Sequence, residues 1–158
     1  PYNRAVTAKV QSGSAFKPFI YCAALKKGYS IDSMLIDEQK EYPIGMGKTW
    51  TPRNYDGKYL GQVSMRDAVA YSKNAATVRL LEEIGVNAVK DVMVDLGIDA
   101  NLPHELAIAL GTSNLTLLDL VKGYSAFANG GFRVKPLAVL RVVDGAGNVL
   151  VENYEEKV

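Results

Sequence analysis

The sequence is poor in the residues that make metal and disulfide sites: it has one cysteine, Cys22, and one histidine, His104. A lone cysteine excludes an internal disulfide, and the two together cannot build a zinc site of the His/Cys type. Excess charge of either sign is also missing. Eighteen Lys and Arg stand against 17 Asp and Glu, a formal net charge of +1. A nucleic-acid binder usually gathers its basic residues into a patch, whereas the largest basic cluster here is Lys26-Lys27, with no aromatic residue interleaved. Long apolar runs are absent as well. The longest, Phe19 to Leu25, is seven residues, and a membrane helix needs about 20. No Gly-x-Gly-x-x-Gly, no Gly-x-x-x-x-Gly-Lys-Ser/Thr and no EF-hand loop occurs, so phosphate-cradling loops and helix–loop–helix calcium sites have no support. No cofactor is expected.

What is there is ordinary for one folded domain: 158 residues, 48% apolar and 22% charged. Gly13 to Lys27 reads as a helix. Phe16, Phe19, Ile20, Ala23 and Ala24 recur at three- and four-residue spacings, Pro18 falls in the first turn, and Gly28 stops it. From Tyr29 to Gly61 the chain reads as one long, loop-rich stretch punctuated by proline and glycine. Loops of that length in compact domains are usually functional. Ser64 is expected to cap a short helix through Tyr71, followed by a break at Ser72-Lys73-Asn74 and helices over about 75–84 and 86–96. Glu105 to Leu110 reads as a short helical piece. Thr116-Leu117-Leu118-Asp119, a capping box with Asp in the last position, opens a helix to Ala128. Segments 138–143 and 148–151 flank Asp144-Gly145-Ala146-Gly147 as a β-hairpin. The fold class expected is mainly α with a C-terminal hairpin.

Ser14-Ala15-Phe16-Lys17 is the motif with chemistry. Positions i and i+3 share a helix face, so hydroxyl and amine can meet. A serine hydroxyl becomes a nucleophile when a base takes its proton, and a lysine serves when desolvation lowers its pKa toward neutrality. Free N–H groups at the helix start can stabilise an oxyanion. The motif alone is unspecific. Serines at helix starts are usually caps, lysines at i+3 are usually solvated, and Ser72 and Asn74 alone read as a helix break and a cap.

The context is specific. Asn3-Arg4-Ala5-Val6 precedes Gln11-Ser12-Gly13-Ser14-Ala15-Phe16-Lys17-Pro18-Phe19, and Ser72-Lys73-Asn74 follows. Together with Trp50-Thr51-Pro52-Arg53-Asn54-Tyr55-Asp56-Gly57, Val78-Arg79-Leu80-Leu81, Ile84-Gly85, Ala109-Leu110-Gly111-Thr112-Ser113 and Phe127-Ala128-Asn129-Gly130-Gly131, these resemble, in family order and over almost the whole chain, the transpeptidase domain of class A high-molecular-weight penicillin-binding proteins. The resemblance implies the helical part of the α+β fold shared by penicillin-binding proteins and β-lactamases. It implies Ser14 as acylated nucleophile, Lys17 as its base, Ser72 as proton relay to the leaving amine and Asn74 as ligand of the substrate amide. The substrate implied is a peptidoglycan stem peptide ending in D-Ala-D-Ala, with β-lactams as covalent inhibitors. The location implied is the outer face of the bacterial cytoplasmic membrane.

There are departures from the family pattern. Ser12 stands where the family usually has Pro, and Ala15 where it has Ser or Thr. The third motif, Lys-Thr/Ser-Gly, is not in the sequence; Lys48-Thr49-Trp50 lacks the glycine and precedes the second motif. Residues 1–158 are therefore expected to be a partial transpeptidase domain, truncated before the third motif. A glycosyltransferase domain and the membrane anchor are expected to lie elsewhere in the parent protein. The piece is expected to react weakly or not at all and to self-associate through surface that would otherwise face a sheet. Two alternatives stand beside this reading: a serine D,D-carboxypeptidase or β-lactamase-type hydrolase, and a non-catalytic helical fragment. His104 reads as a surface histidine, Cys22 as a small buried apolar residue, Glu105 as a base without a matching motif, and the tyrosines, Tyr124 included, as packing, with Tyr55 a possible groove residue.

Overall fold

The computed structural model describes residues 2–154. Its centre is α1 (Lys17–Lys26), with Phe19, Ile20, Ala23 and Ala24 at most 1% exposed. Buried residues cover most of this helix, Leu25 and Lys26 staying exposed, because three helices pack on it: α2 (Met65–Ala70), α3 (Asn74–Ile84) and α4 (Val86–Asp95). Leu80, Leu81, Val89 and Met93 supply the facing side of the core. Helix α5 (Leu117–Ala128) is opened by the expected capping box. The Thr116 hydroxyl accepts from the Asp119 N–H at 3.1 Å, and the Asp119 carboxylate accepts from the Thr116 N–H at 3.3 Å. Gly123 lets α5 approach Phe19 closely. The Tyr124 and Phe127 rings pack on Phe19 at 6.0 and 5.7 Å, and with Leu117 and Val121 they form a stripe 42–57% exposed.

The first helix starts later than its periodicity suggests. Residues Gly13–Phe16 form a 3-10 turn and the α-helix begins at Lys17. Pro18 is the reason. In an α-helix the carbonyl of Ser14 would accept from residue 18, which has no N–H. It accepts instead from the Lys17 N–H, one residue earlier, and that bond makes the turn 3-10.

The stretch from Tyr29 to Gly61 is more ordered than a loop. Strand β2 (Met34–Asp37) pairs antiparallel with β5 (Gly61–Ser64), with Leu35 opposite Val63 and Asp37 opposite Gly61. Between them β3 (Tyr42–Pro43) and β4 (Thr49–Trp50) form a small hairpin with the Tyr42 and Trp50 rings 5.9 Å apart. These strands were hidden because only two residues of β2 point inward, and one of them is the fully buried Asp37. A further two-residue pair, β1 (Val10–Gln11) with β6 (Asn114–Leu115), fastens the residues before the 3-10 turn to those before α5. Mainly α thus describes the core, and six short strands frame it. Near the C-terminus β7 (Arg141–Val143) pairs with β8 (Val149–Glu152), and the Asp144 carboxylate closes the turn by accepting from the N–H groups of Ala146 and Asn148. Among the described residues no helix is long and apolar enough to cross a membrane.

Gly123→Ala tests the α1–α5 contact. The added Cβ would lie 2.4 Å from Cε1 of the Phe19 ring. Overpacking of this kind costs about 1–3 kcal/mol, more than the roughly 0.5–1 kcal/mol a helix gains on replacing Gly by Ala. Denaturant unfolding should show a net loss, while Gly145→Ala, with nothing within 4 Å of its Cβ, should leave the midpoint unchanged.

Candidate active site

Lys17 begins α1 with its side chain only 3% exposed. Its ammonium donates to three oxygens: the Ser72 carbonyl at 2.6 Å, Ser72 Oγ at 2.9 Å and Asn74 Oδ1 at 2.5 Å. An ammonium has three N–H donors, and each is used. Burial still dominates and lowers the Lys17 pKa from 10.5 to about 8. One turn further along the same face of α1, the Tyr21 hydroxyl lies 2.7 Å from Thr77 Oγ1, which donates to the Lys73 carbonyl at 2.6 Å. Burial, helped by the negative charge of Asp37 and opposed by the Thr77 hydrogen bond, pushes Tyr21 up to about 12. These contacts run from α1 to the beginning of α3.

The break between α2 and α3 holds Ser72 in the left-handed region, with φ of +52°, a conformation rare and costly for a residue with a Cβ. It is held there from both ends. The Ser72 N–H donates to the Val69 carbonyl at 3.1 Å, the Lys73 N–H to Ala68 at 2.9 Å, and the Ser72 carbonyl takes the Lys17 ammonium.

Ser14 lies on the 3-10 turn, exposed to solvent, one turn ahead of Lys17 and tied to it by the Lys17 N–H to Ser14 carbonyl bond. Backbone contacts secure the turn. The Gly13 N–H donates to the Gly111 carbonyl at 3.2 Å, and a Cβ on Gly111 would fall 2.0 Å from the Gly13 carbonyl oxygen, so the crossing requires glycine. Tyr124 contributes too: its hydroxyl donates to the Ala15 carbonyl at 3.0 Å. The structure therefore joins Lys17, Ser72 and Asn74 by direct hydrogen bonds, while Ser14 is linked to Lys17 through its carbonyl.

Four participants, Asn54, Asp37, Lys73 and Asp56, were not identified from sequence as site residues. Asn54, 5% exposed, accepts through Oδ1 from the N–H groups of Asn74 (2.7 Å) and Ala75 (3.1 Å). It donates through Nδ2 to Asp37 (2.7 Å) and to the Lys58 carbonyl (2.8 Å). Lys73, also buried, donates to Asp56 at 3.0 Å and lies 3.9 Å from Asp37. The Lys58 N–H, followed by Lys73, holds the Asp56 carboxyl below its ordinary value. Asn54 sits in the Trp50–Gly57 loop, whose family likeness was the only signal; Asp37 gave none beyond an acidic residue at the end of an apolar strand. Asn54, Tyr55, Asp56, Tyr71, Ser72 and Lys73 line a cleft of about 290 Å³. His104 and Glu105 are exposed and line a different groove beside Trp50. Among the described residues no three His, Cys, Asp or Glu gather as metal ligands.

Lys17 titrates differently folded and unfolded. Its pKa is depressed on folding, so between about pH 8 and 10.5 the unfolded chain binds the extra proton. Its contribution to stability therefore rises with pH across that window and is least below it. Nitrogen-15 NMR of the Lys17 amine should give a midpoint near 8, and a midpoint at the ordinary lysine value would contradict the structure.

The family model for the penicillin-binding protein transpeptidase domain matches residues 1–158. Penicillin-binding protein 1A of Aquifex aeolicus is 42% identical over 156 residues, covering 98% of this chain and 21% of that protein. Its namesake from Neisseria lactamica is 40% identical over 155 residues, covering 94% and 19%. The chain thus spans about a fifth of the length of the curated relatives it matches. The crystal structure of penicillin-binding protein 1A from Haemophilus influenzae superposes with a TM-score of 0.91 at 32% identity, over 99% of this chain and 24% of that one. An imipenem acyl-enzyme of penicillin-binding protein A from M. tuberculosis, at 24% identity and TM-score 0.87, shares the fold. The fold around α1, the order of the motifs and these likenesses agree, and the chain belongs to the penicillin-binding protein transpeptidase family.

Proposed function

We propose that this chain carries the nucleophile half of a serine D,D-transpeptidase site, and the observation that carries the reading is Lys17: buried, with its pKa lowered to about 8, and bonded at once to Ser72 Oγ and Asn74 Oδ1. Neutral Lys17 takes the proton of Ser14 Oγ as that oxygen attacks the carbonyl carbon between the two D-Ala residues of a stem peptide. The C–N bond breaks, and the proton passes from Lys17 through the Ser72 hydroxyl to the departing D-Ala amine. The ester on Ser14 is then attacked by an amine of a second strand, which releases Ser14 and takes its acyl group. Asn74 spends one amide hydrogen on the Arg53 carbonyl, at 2.7 Å, and keeps the other for the substrate's amide oxygen. A β-lactam acylates Ser14 by the same first step and has no separate leaving amine to depart.

The residues belong, on this proposal, to a longer protein held at the outer face of the cytoplasmic membrane by a segment elsewhere in its chain. That protein would also supply the Lys-Thr/Ser-Gly strand, whose lysine binds the ligand carboxylate and whose backbone gives the second oxyanion donor. The half-exposed stripe Leu117, Val121, Tyr124 and Phe127 on α5 suits contact with the remainder of the fold, or self-association without it. Glu105, the candidate base of the hydrolase reading, lines the groove beside Trp50 with His104.

Labelling with a fluorescent penicillin tests the proposal. Ser14→Ala should remove the label. Lys17→Arg should slow acylation by about 10²–10⁴, the worth of a general base. For the parental residues the rate should rise with pH to a plateau above about 8. The isolated chain should label more slowly than the full-length protein by at least the roughly 10²–10³ that one oxyanion donor supplies. Labelling that survives Ser14→Ala would refute the assignment.

A further inference from the structure

Asp37 is 0% exposed, on a strand with no part in the chemistry proposed above. One carboxylate oxygen accepts from Asn54 Nδ2 at 2.7 Å, and the other from the Leu60 N–H at 3.0 Å, with Lys73 Nζ at 3.9 Å. A buried carboxylate without such partners would be expelled or neutralised. Its position, and with it that of Asn54, is therefore closely defined.

Asn54 uses every hydrogen-bonding valence of its amide. Two donors go to Asp37 and Lys58, and Oδ1 accepts from the first two N–H groups of α3. Helix α3 thus has its N-terminal cap in the side chain of a residue 20 positions earlier, while its own preceding residue, Lys73, gives no side-chain cap. The helix begins with Asn74. The Arg53 carbonyl, next to Asn54, takes Asn74 Nδ2 and so leaves Oδ1 to face Lys17. Asp37 fixes the Asn54 amide, Asn54 fixes the first turn of α3, and the Arg53–Asn54 segment fixes which way Asn74 points.

We propose that Asp37 and Asn54 are positioning residues for the acylation site: a buried carboxylate–amide couple that holds the start of α3 and aims Asn74 at Lys17. The proposal rests on the transpeptidase reading for its kinetic consequence but not for its structural one. Asp37→Asn places a donor where an acceptor is needed. Asn54→Asp sets two carboxylates together. The reciprocal double variant, Asp37→Asn with Asn54→Asp, restores a donor–acceptor pair between the two positions and keeps an oxygen on the α3 N–H groups, while the Lys58 carbonyl loses its donor.

The test measures, in the full-length protein, the acylation rate constant at saturating fluorescent penicillin per folded molecule, with the Asn74 side-chain amide signal followed by NMR in the chain. Each single variant should slow acylation by about tenfold to a hundredfold, the scale of an ångström-sized misplacement, and shift the Asn74 signal. The double variant should recover part of both, short of the parent by the lost bond to the Lys58 carbonyl. Parental rates per folded molecule in the singles, or a double variant that regains its melting temperature but none of its rate, would overturn the proposal. Should the singles fail to fold, the double variant decides alone. If the parent takes no label at Ser14, the transpeptidase reading falls, and the Asn74 signal still decides: shifted in the singles and partly restored in the swap, or unmoved and against the proposal.

Discussion

One amine kept from water organises this structure. Burial lowers the Lys17 pKa from 10.5 to about 8 and so disfavours the charged form. That penalty persists although three oxygens surround the ammonium, so desolvation outweighs what the acceptors return. The arrangement around Lys17 follows from satisfying it. Ser72 must offer its carbonyl, which requires the left-handed backbone at the α2–α3 break. Asn74 must offer Oδ1, which requires its Nδ2 to be engaged by Arg53. The start of α3 must be fixed, which requires a cap that Lys73, with donors and no acceptor, cannot give.

The exposed serine is held by different means. Its turn has few side-chain supports and is set by backbone constraints: an N–H that Pro18 lacks, the glycine crossing of Gly13 and Gly111, and the Tyr124 hydroxyl on the Ala15 carbonyl. Backbone clamping suits a residue that must stay open to a ligand, because nothing needs to pack over its side chain. It also ties the turn to α5 and to β6, elements about 100 residues downstream.

Helices declared themselves by periodicity and caps: Thr116 with Asp119, Ser64, Gly85 and Gly28 lie where the helix boundaries are. The strands around Asp37 did not, since two- to four-residue ladders offer too few alternations to show a period of two. Lys17, Ser72 and Asn74 were legible as a set only through the order of the motifs, because each alone reads as a cap or a solvated lysine. Asn54 and Asp37 were not legible as site residues. Their roles come from contacts between positions 17 to 21 residues apart, across elements whose packing no local pattern encodes. Tyr124 was read as packing, and its bond to Ala15 spans 109 positions.

The three acceptors around Lys17 are not equivalent, and the difference bears on how the site moves a proton. The Ser72 carbonyl and Asn74 Oδ1 can only accept. They remain satisfied whether Lys17 is an ammonium or an amine, because the amine keeps two N–H donors for them. The third direction must reverse when the proton leaves, since a lone pair then points where an N–H did. Ser72 Oγ, 2.9 Å away, is a hydroxyl and can turn from acceptor to donor without moving its oxygen. The pocket can therefore hold both protonation states with every buried polar group paired, and the only group that reorients is the serine on the path toward the cleft. An alanine at 72 would leave the lone pair of a buried amine unpaired in one state and an N–H unpaired in the other. An asparagine at 72 would present separate donor and acceptor atoms and would have to flip its whole amide to follow the proton. A hydroxyl beside the lysine is what the chemistry of a cycling, desolvated base calls for.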